Sequence, residues 1–85
     1  MVIKDIWYLY IIECKDGKLY TGISIDLKRR IEQHNRGHGC RFTKFRNPVK
    51  LVYKQIFSSR SEALKREAEI KGWKKDRKIE LLNNA

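Results

Sequence analysis

Two runs of strand-forming residues, "WYLYIIE" and "LYTGIS", stand on either side of the turn signal "CKDGK". Dense β-branched and aromatic residues around an Asp-Gly pair restrict this part of the chain to a β-hairpin. Gly17 is free to take the left-handed conformation that the turn requires. Register then decides chemistry, because side chains along a strand alternate between faces. A three-residue loop of Lys15, Asp16 and Gly17 pairs Cys14 with Lys18 and sets Tyr8, Tyr10, Ile12, Tyr20 and Gly22 on one face. A two-residue Asp16-Gly17 turn sets Tyr10 and Tyr20 on opposite faces instead.

Further along, Asp26 can cap a helix from Leu27 to about Arg36, closed by Gly37. At about 100° per residue, Leu27, Arg30, Ile31 and His34 share one arc. Arg30 therefore borders the buried stripe, whereas Arg29 faces solvent. The segment "GHGCRFTKFRNP" reads as a basic, aromatic loop with one helical turn around Phe42, and Phe42 and Phe45 are expected to pack. Val49 to Phe57 has strand composition. Ser59 and Glu62 fit a capping box that opens a helix to about Lys71, where Gly72 ends it, and "KKDRKIELL" adds a last short helix.

At 85 residues the chain has room for one domain. Its longest apolar run, "IWYLYII", is far shorter than the roughly 18 residues of a membrane span. No charged, apolar and small leader pattern precedes it, so a cytoplasmic location is expected. Cys14 and Cys40 read as free thiols in a reducing compartment. A zinc site from Cys14, His34, His38 and Cys40 has no usual ligand spacing. Twenty Lys and Arg against ten Asp and Glu give a net charge of +10. Such an excess attracts polyanions, most simply nucleic-acid phosphates. By itself it argues for binding only.

Glu67 is the anomaly of the second helix. Ala63, Leu64 and Ile70 define the apolar arc, and Glu67 lies in its middle, whereas Glu62 and Glu69 lie outside. A carboxylate aimed at a core is costly unless it is paired or holds a metal. The plain alternative is an internal salt bridge to an arginine such as Arg30. Taken with Tyr10, Tyr20, Arg30 and His34, however, Glu67 completes the parts for phosphodiester cleavage. Arginine stabilises the extra charge of a phosphoryl transition state, and a carboxylate can hold a hydrated Mg²⁺. A tyrosine can accept a proton from water, although a pKa near 10 leaves about 0.1% phenolate at pH 7.

"YLYII", "YTG" ten positions on, and Arg30 ten positions after Tyr20 together resemble the GIY-YIG nuclease superfamily, and in particular its small stand-alone bacterial members. The resemblance spans about residues 6 to 82. It aligns Tyr10 with the tyrosine of the first motif, Tyr20 with the first tyrosine of the second, and Arg30 with the family arginine. His34 falls where several members have a histidine, and Glu67 matches the metal-binding glutamate. This chain departs from the pattern with Tyr8-Leu9-Tyr10 as first motif, Thr21 inside the second, Ile23 in place of a lysine, and Ile79 in place of an asparagine.

The resemblance implies an α+β fold, a three-stranded antiparallel sheet flanked by helices. It also implies a metal-dependent endonuclease acting on DNA, with a place in repair or recombination. In that reading Tyr10 or Tyr20 assists as general base, Arg30 stabilises the phosphate, and Glu67 holds one Mg²⁺ or Mn²⁺. His34 either relays a proton, bonds the phosphate or makes a structural hydrogen bond to the sheet. Arg29, Arg36, Arg41, Lys44 and Arg46 are expected to grip the DNA backbone. The hydroxyls of Tyr10 and Tyr20 and the Arg30 guanidinium should border one surface cleft. So small a domain has little surface for sequence recognition, which leaves targeting either to a protein partner or to recognition of structured or damaged DNA instead of a sequence. The rival reading is a nucleic-acid-binding module of the same fold with little catalysis of its own.

Overall fold

The Lys15-Asp16-Gly17 loop closes the hairpin. Cys14 N–H donates to Lys18 O at 2.8 Å, Gly17 N–H donates to Cys14 O at 2.9 Å, and Gly17 has φ +85°. In this computed structural model, which describes residues 6–84, the loop joins β1 (Trp7–Glu13) to β2 (Leu19–Ser24). Ile12 lies opposite Tyr20 and Tyr10 opposite Gly22, so the two tyrosines share a face as the three-residue loop requires.

Asp26 caps α1 (Leu27–Asn35) by accepting a hydrogen bond from Arg29 N–H, and Gly37, with φ +78°, follows its end. The loop after α1 turns over residues 41–45 and is tied back to the helix, since Val49 N–H donates to Asn35 Oδ1 at 2.6 Å. The third strand, β3 (Lys50–Phe57), pairs antiparallel with β1, giving the strand order β2-β1-β3. Its register shifts between Ile11, opposite Tyr53, and Ile12, opposite Leu51, which leaves Val52 as the extra residue of a bulge. Ser59 caps α2 (Arg60–Lys71) by accepting from Glu62 N–H, Gly72 ends it, and α3 (Lys75–Asn83) follows.

The sheet separates two apolar layers. On one face Tyr10, Ile12, Cys14 and Val49 meet Tyr20, Leu27, Ile31 and Phe42, so α1 and its loop cover the tyrosine side. On the other, Leu9, Ile11 and Ile70 meet Leu19 and Ile23 of β2, Trp73 of the link between α2 and α3, and Leu81 and Leu82 of α3. Leu9, Ile11, Ile12 and Ile70 are fully buried, each worth about 1.5–3 kcal/mol of transfer free energy. Phe45 departs from expectation. It is 87% exposed, because the turns over 41–45 aim Phe42 inward and leave Phe45 at the loop tip beside Lys44. The architecture is α+β, a three-stranded antiparallel sheet flanked by three helices. Among the described residues no helix is long and apolar enough to cross a membrane.

Candidate active site

A directed chain of hydrogen bonds runs from α1 through the sheet to the loop. Arg30 Nε lies 3.3 Å from the Tyr10 hydroxyl, which must accept there because a guanidinium only donates. The Tyr10 proton is then free for His34 Nε2, 2.9 Å away. With Nε2 accepting, the neutral imidazole carries its proton on Nδ1 and donates it to Thr43 Oγ1 at 2.7 Å. Thr43 in turn donates to the Cys40 carbonyl at 3.4 Å. The network assigns one tautomer of His34.

Two glycines make the chain possible. A Cβ on Gly22 would fall 2.5 Å from the Tyr10 hydroxyl oxygen, so the phenol needs a bare backbone across the hairpin. A Cβ on Gly39 would overlap the His34 ring in the same way. Sequence reasoning named Tyr10, Arg30 and His34 but missed Thr43 and Gly39. Their only signal was the glycine-rich loop, whose path back onto α1 is a tertiary fact.

Tyr20 stands beside this chain. Its ring centroid is 6.4 Å from that of Tyr10 and 5.3 Å from that of His34, and Phe42 stacks on it at 5.7 Å. Glu67 reaches the same place from α2. Its side chain is 18% exposed, and Lys71 Nζ lies 3.4 Å from Glu67 Oε2 while resting 5.6 Å from the Tyr20 ring centroid. The partner of Glu67 is thus Lys71, one helical turn away, and not Arg30, whose guanidinium is held by Tyr10 and by Gln33 Oε1 at 3.2 Å.

The expected common cleft is not formed. Tyr10 is 1% exposed, sealed between the sheet and α1, and His34 is fully enclosed, with its two ring nitrogens bonded to Tyr10 and Thr43. The cavity beside Arg30, about 420 Å³, is lined by Trp7, Ile23, Ile25, Asp26, Arg29 and Gln33 among others, and by neither tyrosine. The reason is packing. With no side chain on Gly22, the Tyr10 phenol settles into the core and delivers only its oxygen to Arg30. Of the five residues expected to grip DNA, Arg29, Arg36, Arg41 and Lys44 are exposed. Arg46 is engaged internally, with Asp16 Oδ2 at 3.0 Å, the Phe42 carbonyl at 2.8 Å and the Phe42 ring at 4.6 Å.

Burial sets the protonation states. It lowers the His34 pKa to about 4, with help from the Arg30 charge, so His34 is neutral at pH 7. It raises Tyr10 against the opposing hydrogen bond and charge of Arg30, and the Glu67 carboxylate adds to the rise. Tyr20 is pushed well above the ordinary phenol value by burial and by the Cys40 thiol beside it. Burial also works against ionisation of Cys40, but hydrogen bonding with Thr43, Tyr20 and the Phe42 backbone outweighs it and lowers the thiol pKa. Cys14 and Cys40 are both free.

The described residues contain no group of three or more His, Cys, Asp or Glu side chains arranged to hold a metal. A single accessible carboxylate at Glu67 still fits an ion such as Mg²⁺, which keeps several waters and takes one or two carboxylates plus substrate phosphate.

The GIY-YIG catalytic domain matches residues 6–80 of the chain. A UPF0213 protein of Staphylococcus saprophyticus is 51% identical over 79 residues, covering 93% of this chain and 96% of that protein. A UPF0213 protein of Staphylococcus aureus is 49% identical over 78 residues, covering 92% and 95%. The solution NMR structure of a UPF0213 protein from Bacillus halodurans superposes with a TM-score of 0.61 at 41% identity, over 92% of this chain and 83% of that one. A protein from E. faecalis, also solved by NMR, gives 0.66 at 35% identity, over 99% and 90%. The match over residues 6–80 and relatives this similar over nearly their whole length show that the chain belongs to the GIY-YIG family, alongside the small bacterial UPF0213 proteins.

Proposed function

We propose that this chain is a divalent-metal-dependent endonuclease module that cleaves DNA phosphodiester bonds, with a role in handling damaged or recombining DNA. The observation that supports this most is the Arg30–Tyr10–His34 chain, which holds a permanent cation in one orientation at the edge of the core. Arg30 spends its Nε on Tyr10 and one Nη on Gln33, which leaves guanidinium N–H groups to donate to a phosphate. Tyr10 and His34 act through Arg30, as its positioning groups.

Tyr20, partly buried beside them, is the tyrosine of the two that keeps some surface open to water. As the phenolate, its oxygen orients the attacking water and takes its proton as the new phosphorus–oxygen bond forms, while the 3′ oxygen departs in line as an alkoxide and takes a proton from solvent. Burial keeps Tyr20 protonated at neutral pH, so the rate should climb with pH through the alkaline range. A Mg²⁺ or Mn²⁺ held by Glu67 would supply Lewis-acid stabilisation of the leaving oxygen. The exposed Arg29, Arg36, Arg41 and Lys44 hold the backbone on either side.

The test is nicking of plasmid, branched and single-stranded DNA with Mg²⁺, with Mn²⁺ and with chelator, using the protein and its Arg30→Ala and Tyr20→Phe variants. Metal-dependent cleavage that both substitutions abolish supports the reading. DNA binding with no Arg30-dependent cleavage on any substrate replaces it with a binding module of the same fold.

A further inference from the structure

Outside the site, Lys18 of the hairpin and Lys75 and Lys78 of α3 converge on one groove of about 330 Å³, floored by Leu19 and Phe42. The three ammonium groups come from segments far apart in sequence, so no charge run marks them. Lys75 and Lys78 lie one turn apart on α3, and Lys75 Nζ is held 3.3 Å from the carbonyl of Gly17, the neighbour of Lys18 in the hairpin. No acid lines it. Asp76 and Glu80, the carboxylates of α3, line a separate cavity with Trp73 and Arg77, and Asp16 of the hairpin is paired with Arg46.

The groove abuts the candidate site through a single ring. Phe42 forms its floor and stacks on Tyr20 with centroids 5.7 Å apart, and Lys71 Nζ rests over that same tyrosine. The Phe42 ring is already engaged, with Tyr20 stacked against it and the Arg46 guanidinium 4.6 Å from its centre. A groove of point charges without a stacking platform grips phosphates and ignores bases.

Resting on the endonuclease reading above, we infer that the Lys18–Lys75–Lys78 groove is the backbone track that leads a DNA strand into the Tyr20–Arg30 site. The grip is independent of sequence.

Binding of fluorescein-labelled oligonucleotides of two unrelated sequences, followed in chelator across a salt series, tests this. The triple Lys18→Gln, Lys75→Gln, Lys78→Gln variant should lower the salt slope by about 2 on single strands and about 3 on duplex, and weaken binding about tenfold at fixed salt. Both sequences should lose equally. A charge-matched Lys50→Gln, Lys54→Gln, Lys65→Gln control, altered on β3 and the outside of α2, should lose far less. In the unaltered protein, bound DNA should protect Lys18, Lys75 and Lys78 from acetylation, a readout that does not depend on how the variants fold. Equal losses in both triples, or no protection of these three lysines, overturns the track while leaving the nuclease reading intact. Failure of the unaltered protein to bind any DNA removes both.

Discussion

Gly22 and Tyr10 face each other across the hairpin so closely that a methyl group on Gly22 would fall 2.5 Å from the phenolic oxygen. That oxygen is pinned by Arg30 and His34 and cannot swing aside. Gly22→Ala should therefore cost about 1–3 kcal/mol through overpacking and pull Tyr10 off both partners. Gly17 offers the contrast. Its φ is +85° but nothing lies near its Cβ position, so Gly17→Ala should cost about 1–2 kcal/mol from backbone strain and leave the site unchanged. Urea unfolding of both variants, with activity measured beside it, separates a steric requirement from a conformational one.

Acid should unlock the same network. His34 titrates near pH 4 in the folded chain against an ordinary value of 6.5. A proton on Nε2 would oppose the Tyr10 hydrogen and add charge near Arg30. Because the unfolded chain takes up that proton first, the contribution is complete above about pH 6.5 and is lost as pH falls towards 4. Its full size is about 3 kcal/mol. Denaturation midpoints measured from pH 7 to 4 should show this loss in the protein and a flatter profile in His34→Gln. A loss of the same size in His34→Gln would assign the acid sensitivity elsewhere.

The neighbouring arginines should separate in kinetics. Arg30→Ala is expected to abolish cleavage at saturating DNA while keeping most of the binding. Arg30→Lys should not restore activity, because an ammonium cannot bond Tyr10 through Nε and present a planar fork to phosphate at once. Arg29 points to solvent, so Arg29→Ala should leave the saturated rate alone and reduce the salt slope of binding by about 1. Comparable rate losses in Arg29→Ala and Arg30→Ala would contradict the division.

Glu67→Gln keeps the shape of the side chain and removes its charge. Its only ion-pair partner among the described residues is Lys71, half-exposed and one turn away, a pair worth about 0.3–0.5 kcal/mol. Metal-free thermal unfolding should thus be nearly unchanged, while Mn²⁺ binding read by electron paramagnetic resonance and metal-dependent cleavage both disappear. A drop of several kcal/mol without metal would make Glu67 a structural residue.

Much of the architecture was legible because it is encoded locally. The Asp16-Gly17 turn, the Asp26 and Ser59 caps, and Gly37 and Gly72 at helix ends each satisfy or terminate backbone hydrogen bonds within a few residues of themselves. Strand alternation then carried the choice of loop length to the shared face of Tyr10 and Tyr20. The helical period likewise told Arg30 from Arg29.

What the chain builds from distant segments was not legible. Thr43 and Gly39 matter only because the loop folds back onto His34, Arg46 is claimed by a hairpin aspartate thirty positions away, and Phe45 is left outside while Phe42 packs. Tyr10 was expected at a surface cleft and is buried, because its depth depends on what α1 and Gly22 leave open around it. Spacing along a strand or helix sets the direction of a side chain. The partner it meets, and how much water remains there, is set by long-range packing that only the folded chain possesses.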